Sequence, residues 1–220
     1  TTHFYLDLEK LQDRVADFLR ERQDYWRPNV IRQSLGQIET EGLHGRPITR
    51  DLSWGIPVPV EGWEGKCMYV WFEAVIGYLS GVVEWGLLHD DPDAWRHWWT
   101  NPESKTLYCI GKDNIPFHTV IFPSSQLGTG RNWTMLHHMS SSEYLNYEAG
   151  KFSKSKGIGV FGTDVMETGI PADIWRFYIF WNRPETSDYT FTWADFHEKV
   201  NGELIGNLGN LANRTLSFVA

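Results

Sequence analysis

Lys151-Phe152-Ser153-Lys154-Ser155-Lys156 sits between Gly150 and the glycines at 157 and 159. Three ammonium groups on flexible stems alternate here with two hydroxyls. Such a stretch can clamp a polyanion: lysines act as point charges for phosphate, while serine hydroxyls and glycine-flanked amides supply oriented donors. The same composition also reads as a solvated basic loop, because charge runs are usually wet. Few residues here are strongly apolar or helix-forming, so the segment is predicted to be a mobile surface loop.

A second group of residues is concentrated between Trp71 and His118. Ala74 and Tyr78 are one helical turn apart and share a face, with Trp71 expected at the end of the preceding strand. A lone histidine such as His118, on a helix after Gly111-Lys112-Asp113, reads first as a satisfied, partly buried residue. Asp113 can cap that helix, or present a carboxylate at the sheet's carboxyl edge to an ammonium or a ribose hydroxyl. Trp54 reads either as packing or as a site wall.

The elements that must position these groups alternate strand with helix. Leu8, Leu11, Val15, Phe18 and Leu19 recur at helical spacing, predicting an amphipathic helix that ends near Tyr25-Trp26, before Pro28. A shorter helix starts at Pro28 and runs through Leu35 and Ile38. Asp51 to Pro59 is too rich in Gly and Pro for a central strand. Met68 to Phe72 reads as a strand running straight into a helix over Ala74 to Val83, and Thr106 to Ile110 as a buried strand followed by a helix from about Pro116. Strand-to-helix corners of this kind lie at the carboxyl ends of open α/β sheets, where ligands bind. His89 to Asn101 suits a helix, and Met135 to Ser140 a third strand, with Glu143 to Ala149 leading into the lysine loop. The alternation favours a parallel, doubly wound sheet. Short helices follow at Thr163 to Glu167 and from Ile170-Pro171 to about Trp181. Thr192 with Asp195 resembles a capping box, and Phe196, Val200, Leu204, Leu208 and Leu211 make a long stripe toward Val219 whose apolar face is expected to be partly uncovered.

With 220 residues, 41% hydrophobic and 22% charged, the chain is long enough to bury a core and reads as soluble and globular. No apolar run approaches the ~20 residues that span a bilayer, and the first residues carry no basic region followed by an apolar one, so no membrane partner is predicted. Cys67 and Cys109 lack Cys or His neighbours at ligand spacing, which predicts no zinc or other metal site and two buried thiols in a reduced cytoplasm. A net charge of −8 confines any nucleic-acid contact to a local patch or to segments outside this one.

Lys151-Phe152-Ser153-Lys154-Ser155 resembles the second signature loop of class I aminoacyl-tRNA synthetases, usually Lys-Met-Ser-Lys-Ser. In matching order stand Ile48-Thr49-Arg50-Asp51-Leu52-Ser53-Trp54-Gly55-Ile56-Pro57-Val58-Pro59, then Tyr69-Val70-Trp71-Phe72-Glu73-Ala74-Val75-Ile76-Gly77-Tyr78, then Gly111-Lys112-Asp113-Asn114-Ile115-Pro116-Phe117-His118. Together they resemble methionyl-tRNA synthetases of the archaeal and eukaryotic-like branch, from about Arg46 to the C-terminus. The resemblance implies an α/β fold, the second half of a doubly wound parallel (Rossmann-type) sheet followed by helical segments. Residues 1–45 would end a helical connective insertion, 46–150 form the second half of the catalytic fold, 151–190 carry the lysine loop and stem-contact region, and 191–220 begin the anticodon-binding bundle.

The activity implied is ATP-dependent activation of methionine to methionyl-adenylate and its transfer to tRNA(Met), with Mg2+ accompanying ATP. Lys154, assisted by Lys151, would meet the ATP phosphates, with Ser153 and Ser155 as donors and Lys112 and Asp113 near the nucleotide. Phe152 replaces the common methionine as a packing anchor. Trp71, Ala74, Val75, Tyr78, Asn114 and His118 would face methionine, Val75 standing where some relatives have proline, and Arg50 would lie on the substrate side unless it forms a surface ion pair. The first signature of the class, His-Ile-Gly-His or close to it, has no counterpart, since His137-His138 lacks the glycine and the position. The chain is therefore expected to be a fragment without the amino-terminal half and inactive alone. The alternatives are a synthetase of the same class for leucine, isoleucine or valine, and a non-catalytic module that binds tRNA or a partner.

Overall fold

Leu8, Val15, Phe18 and Leu19 fall on one face of the first helical segment, and all four are buried. They begin the larger of two cores. The computed structural model describes residues 1–148 and 150–219, which divide into two units, Thr1–Ser141 and Ser142 onward. In the first unit, β1 (Tyr5–Leu6) passes through a tight 3-10 turn at Glu9–Leu11 into α1 (Gln12–Arg20), and α2 (Pro28–Thr40) follows. Pro28 occupies the first turn of α2, where its missing N–H costs nothing. The end of α1 falls at Arg20 rather than near Trp26. The Arg22 guanidinium bonds the Phe18 carbonyl at 2.8 Å and the Leu136 carbonyl at 2.9 Å, and residues 21–25 become turns beneath it. The Trp26 indole N–H then ties to the His137 carbonyl at 2.8 Å.

Strand pairing in this unit is two by two. β1 pairs antiparallel with β2 (Arg46–Pro47), and β3 (Thr49–Asp51) antiparallel with β4 (Lys66–Met68), setting Arg50 opposite Cys67 and Asp51 opposite Lys66. The expected strand at Met68 to Phe72 ends early. The Tyr69 N–H still bonds the Ile48 carbonyl at 2.8 Å, but the Phe72 N–H turns back onto Tyr69 O at 2.9 Å, so α3 (Val70–Glu73) begins at once. A 3-10 turn at Ala74–Ile76 then leads into α4 (Gly77–Leu88), and α5 (Ala94–Trp99) packs after it.

β5 (Leu107–Gly111) pairs with β6 (His138–Ser142) on either side of α6 (Phe122–Gly128). Before α6 the chain widens into a π-helical turn at Phe117–Ile121. Pro123 explains it: proline cannot donate to the Thr119 carbonyl four residues back and its ring crowds that oxygen. β5 was expected to be buried, yet Leu107 is 60% exposed and Cys109 is exposed. One strand partner and one covered face leave its alternate side chains outside, so of the two thiols expected in the interior only Cys67 is there. The core joins α1, α2 and the π-helical turn through Val15, Leu19, Val30, Ile115, Val120 and Met139, and Val75, Trp99 and Phe122 form a smaller cluster.

In the second unit β7 (Leu145–Tyr147) pairs in parallel with β8 (Tyr189–Phe191). Between them come α7 (Gly162–Val165) and α8 (Ala172–Trp181). After β8, α9 (Trp193–Lys199), a π-helical stretch at Val200–Gly209 and α10 (Asn210–Val219) follow one another without a break. The Thr192 hydroxyl caps α9 by accepting the Asp195 N–H at 3.1 Å. The Asp195 carboxylate does not complete the expected capping box; it accepts the phenols of Tyr178 at 2.6 Å and Tyr189 at 2.7 Å. Trp175, Tyr178, Phe191, Phe196 and Val200 form the core, whereas Leu208, Leu211, Leu216 and Phe218 are exposed as the stripe predicted. No helix among the described residues is long and apolar enough to cross a membrane.

Candidate functional site

In the first unit an aromatic cluster gathers most of the second group. The His118 ring is buried, 4% exposed, on the π-helical turn. Its Nδ1 lies 2.8 Å from the Asn114 carbonyl and its Nε2 2.8 Å from the Tyr78 hydroxyl. A carbonyl can only accept, so Nδ1 carries the proton, Nε2 is the acceptor, and the Tyr78 O–H donates to it. Burial lowers the His118 pKa below its ordinary value, partly opposed by the Asn114 bond, and so favours the neutral ring that this arrangement requires. Burial likewise raises the Tyr78 phenol pKa and keeps its proton in place.

Around this pair, Trp71 stacks on Phe117 with centroids 5.1 Å apart, and Tyr78 packs against Tyr108 at 4.5 Å. Trp71 and Tyr78 remain partly exposed, at 46% and 40%, so the cluster is a wall open on one side. Ala74, also exposed, adds a small residue one turn before Tyr78. Val75 is buried behind the wall, in the cluster with Trp99 and Phe122 against which Tyr108 and Phe117 also pack. A wall of this kind, apolar and polarisable with one fixed dipole behind it, suits an unbranched side chain with a soft atom.

Arg50, on β3, spreads its guanidinium over the Tyr69 ring at 3.8 Å and donates from Nη1 to the carbonyls of Pro47 and Thr49. Those contacts stand where a surface ion pair was the alternative. Lys112, Asp113 and Asn114 make the 3-10 turn after β5. Asp113 is inside that turn, at neither Gly111 nor Pro116, the residues that cap the two helical turns. Trp54 is 88% exposed, so packing does not account for it. Its neighbour Gly55, at φ +145°, lies so close to Cys67 that an added Cβ would come 3.0 Å from the Cys67 Cβ.

The lysine segment lies in the second unit and is a closed hairpin. The Ser153 N–H bonds Ile158 O at 2.8 Å, the Ile158 N–H bonds Ser153 O at 3.0 Å, and Gly157 turns the tip at φ +63°. Lys154, Ser155 and Lys156 are exposed on the turn, and the Ser153 and Ser155 hydroxyls are 3.4 Å apart. The Lys151 ammonium is held 4.7 Å above the Tyr144 ring. Phe152 packs inward between Tyr147 and Phe161, and lies directly over Gly159, where a Cβ would meet its ring at 2.2 Å. Ala149, before the loop, is outside the described residues.

Two members of the wall escaped the sequence reading, Tyr108 and Phe117. Both were legible in principle, Tyr108 as an aromatic two residues from Ile110 on the same strand face and Phe117 as the neighbour of His118. Burial raises the Tyr108 phenol pKa, with the nearby Tyr78 adding to it. Among the described residues no group of three His, Cys, Asp or Glu could hold a metal ion.

Comparison with known proteins gives a consistent set of likenesses. The family described as tRNA synthetases class I (M) matches residues 1–216. The whole chain is 54% identical over 222 residues to the methionine–tRNA ligase of Treponema denticola, and 50% identical over 223 residues to the cytoplasmic methionine–tRNA ligase of Arabidopsis thaliana. It spans only 28% and 27% of those two proteins. Among solved structures, Mycobacterium tuberculosis methionyl-tRNA synthetase in complex with methionyl-adenylate is 25% identical, with a TM-score of 0.73 over 96% of this chain and 40% of that one. The apo form of the same synthetase has the same TM-score over 99% of this chain at 24% identity. These structures share the mixed α/β, Rossmann-type architecture.

Proposed function

Because the chain belongs to the class I (M) family of tRNA synthetases, we propose that it supplies the amino-acid wall and the phosphate loop of a methionine–tRNA ligase. The observation that carries this reading is the hydrogen bond from Tyr78 to the buried, neutral His118 beside the Trp71–Phe117 stack. A thioether has no strong hydrogen-bonding group, so recognition must come from shape and from contact of sulfur with aromatic rings, each contact worth about 0.3–1.5 kcal/mol. Trp71, Ala74 and Tyr78 offer such a surface. His118 holds the Tyr78 ring at one angle, and Asn114 holds His118. Arg50 lies on the side of the substrate carboxylate.

The substrates are methionine, ATP with its Mg2+, and tRNA(Met). Methionine's carboxylate oxygen forms a bond to the α-phosphorus as the bond to the bridging oxygen breaks, and the electron pair leaves with pyrophosphate. Lys154 neutralises that growing charge, with Lys151 beside it and the Ser153 and Ser155 hydroxyls as donors, so stabilisation is greatest in the transition state. Lys112 and Asp113 serve the nucleotide. The adenylate then passes to the terminal ribose of tRNA. No covalent intermediate on the protein is needed, since positioning and electrostatics carry the chemistry. Residues 1–45 belong to the connective insertion and residues from 191 onward open the anticodon-binding bundle of a cytoplasmic enzyme.

The test is methionine-dependent exchange of pyrophosphate into ATP by the full-length protein carrying Lys154→Ala. The expected outcome is a fall in kcat of about 100–1,000-fold with the methionine KM changed little, as for loss of one preorganised group facing transition-state charge. Unchanged exchange in this variant would remove the lysine loop from the mechanism.

A further inference from the structure

Tyr147, the last residue of β7, belongs to two structures at once. Its N–H bonds Gly150 O at 2.7 Å and its carbonyl accepts the Gly150 N–H at 2.8 Å, so the chain reverses there and enters the lysine hairpin. Its ring stands at the same boundary. It stacks on Phe191, opposite it in the parallel ladder with β8, at 5.6 Å and 11°, and packs against Phe152 of the hairpin at 5.3 Å. Phe191 is buried, with Trp175 and Phe196 around it, whereas Phe152 is half-buried. Of the two rings that flank Phe152, Tyr147 is the one that packs on the core of the second unit.

The backbone is strained where this ring is placed. Glu148 follows Tyr147 at φ +46°, a left-handed conformation that a residue other than glycine keeps only when its surroundings hold it. They do so from two sides: the Glu148 N–H bonds the Phe191 carbonyl at 2.8 Å, and its carboxylate accepts the Trp193 N–H of α9 at 3.3 Å. The base of the hairpin is thus tied to β8 and α9. The tip, from Ser153 to Ile158, is closed on itself by its own two backbone bonds and so moves as one piece about Phe152. Lys154 rides on that piece, and a ring fixed behind Phe152 determines where it stands.

We propose that Tyr147 is the positioning residue of the lysine hairpin, holding Phe152 against the core of the second unit and thereby setting where the Lys154 ammonium meets a triphosphate. The inference rests on the reading of this hairpin as the phosphate loop. Without the Tyr147 ring the tip pivots, and only a fraction of molecules presents the lysine where the phosphates need it. Apparent affinity for the nucleotide then falls by that fraction. The methionine wall, built from residues of the first unit, is not touched by the change.

The test is methionine-dependent pyrophosphate exchange by the full-length protein, with the KM of ATP and of methionine measured separately. Tyr147→Leu keeps an apolar side chain and the strand pairing. It is expected to lower kcat/KM for ATP about tenfold, as for loss of the aromatic pairs on both sides of one ring, with the methionine KM unchanged. Tyr147→Phe keeps the ring and is expected to match the native protein. Phe152→Ala removes the other partner from the hairpin itself and is expected to give the same ATP-specific loss at an unchanged thermal midpoint, so the outcome does not hang on the folding of one variant. Added to Lys154→Ala, Tyr147→Leu is expected to cost only about threefold or less, because a residue that acts through a lysine has less to lose once that lysine is gone. With Lys154→Ala impaired, the proposal alone is overturned if Tyr147→Leu keeps the native kcat/KM for ATP, if it raises the methionine KM equally, or if the two losses multiply in full. Unchanged exchange in Lys154→Ala overturns the phosphate-loop reading, and the proposal with it.

Discussion

At the scale of the residue, His118 is the group whose surroundings say most about chemistry. Sequence alone left it between a satisfied core histidine and a ligand-facing one, and it has features of both. The ring is buried and both nitrogens are bonded, yet one of its partners, Tyr78, is on an exposed surface. Its pKa is depressed from 6.5 by burial, so between the folded value and 6.5 the unfolded chain binds more protons than the folded one. Stability from this residue is therefore complete above about pH 6.5 and is lost as pH falls through that window toward the folded pKa. Urea midpoints at about pH 7.5 and about pH 5 should show this loss in the native chain and a smaller one in His118→Gln, the difference between the two being the contribution of His118. Equal pH dependence in both would mean that folding leaves the pKa of this ring unchanged. Neither bond was visible in the sequence, because the π-helical turn that aims His118 at Tyr78 arises from Pro123, five residues further on.

At the scale of the element, the lysine hairpin is defined by Gly159 and Phe152. The sequence suggested a mobile loop with Phe152 as an anchor. The anchor is there, seated between Tyr147 and Phe161, and the backbone of Gly159 at φ +129° passes where a side chain cannot. Gly159→Ala is expected to expel Phe152 and raise the hairpin's energy by about 1–3 kcal/mol, from a strained backbone and a displaced ring. Amide exchange at Ser153 and Ile158, the two closing bonds, should then accelerate by about tenfold or more, with the rest of the second unit unaffected. Unchanged exchange would show that Phe152 can move aside freely. Helices were legible wherever apolar spacing and a proline or threonine start coincided, as at Pro28, Pro171 and Thr192. Boundaries were misread where side chains from distant segments intervened: Arg22 shortened α1 by bonding Phe18 and Leu136, and Tyr178 and Tyr189 drew Asp195 out of its capping box. Strand length at Met68 was misjudged for a related reason, since β3 offers a partner for only three residues.

At the scale of the whole molecule, the class of fold was readable from the alternation of strand and helix, and the family from three ordered motifs and the lysine loop. Tyr108 and Phe117 carried weaker signals, a shared strand face with Ile110 and adjacency to His118, which do not separate an aromatic that packs on a site from one that packs in a core. Burial of Cys109 was wrongly expected because a run such as Leu107 to Ile110 looks alike in a covered and a half-covered sheet. The chain spans 28% of its Treponema denticola relative, and the isolated 220 residues are expected to show no methionine-dependent pyrophosphate exchange. Measurable exchange by that chain would contradict the expectation that these residues are inactive alone.

The account rests most heavily on the aromatic wall as the surface that selects a thioether amino acid. Its most direct test is amino-acid-dependent pyrophosphate exchange in the full-length protein carrying Trp71→Ala, with methionine, leucine, isoleucine and valine compared. Methionine alone is predicted to drive exchange in the native protein, and the variant to raise the methionine KM about 10–100-fold with the ATP KM unchanged, the loss of about 1.5–3 kcal/mol of apolar contact. An unaltered methionine KM in the variant, or equal stimulation of the native protein by a branched amino acid, would contradict it.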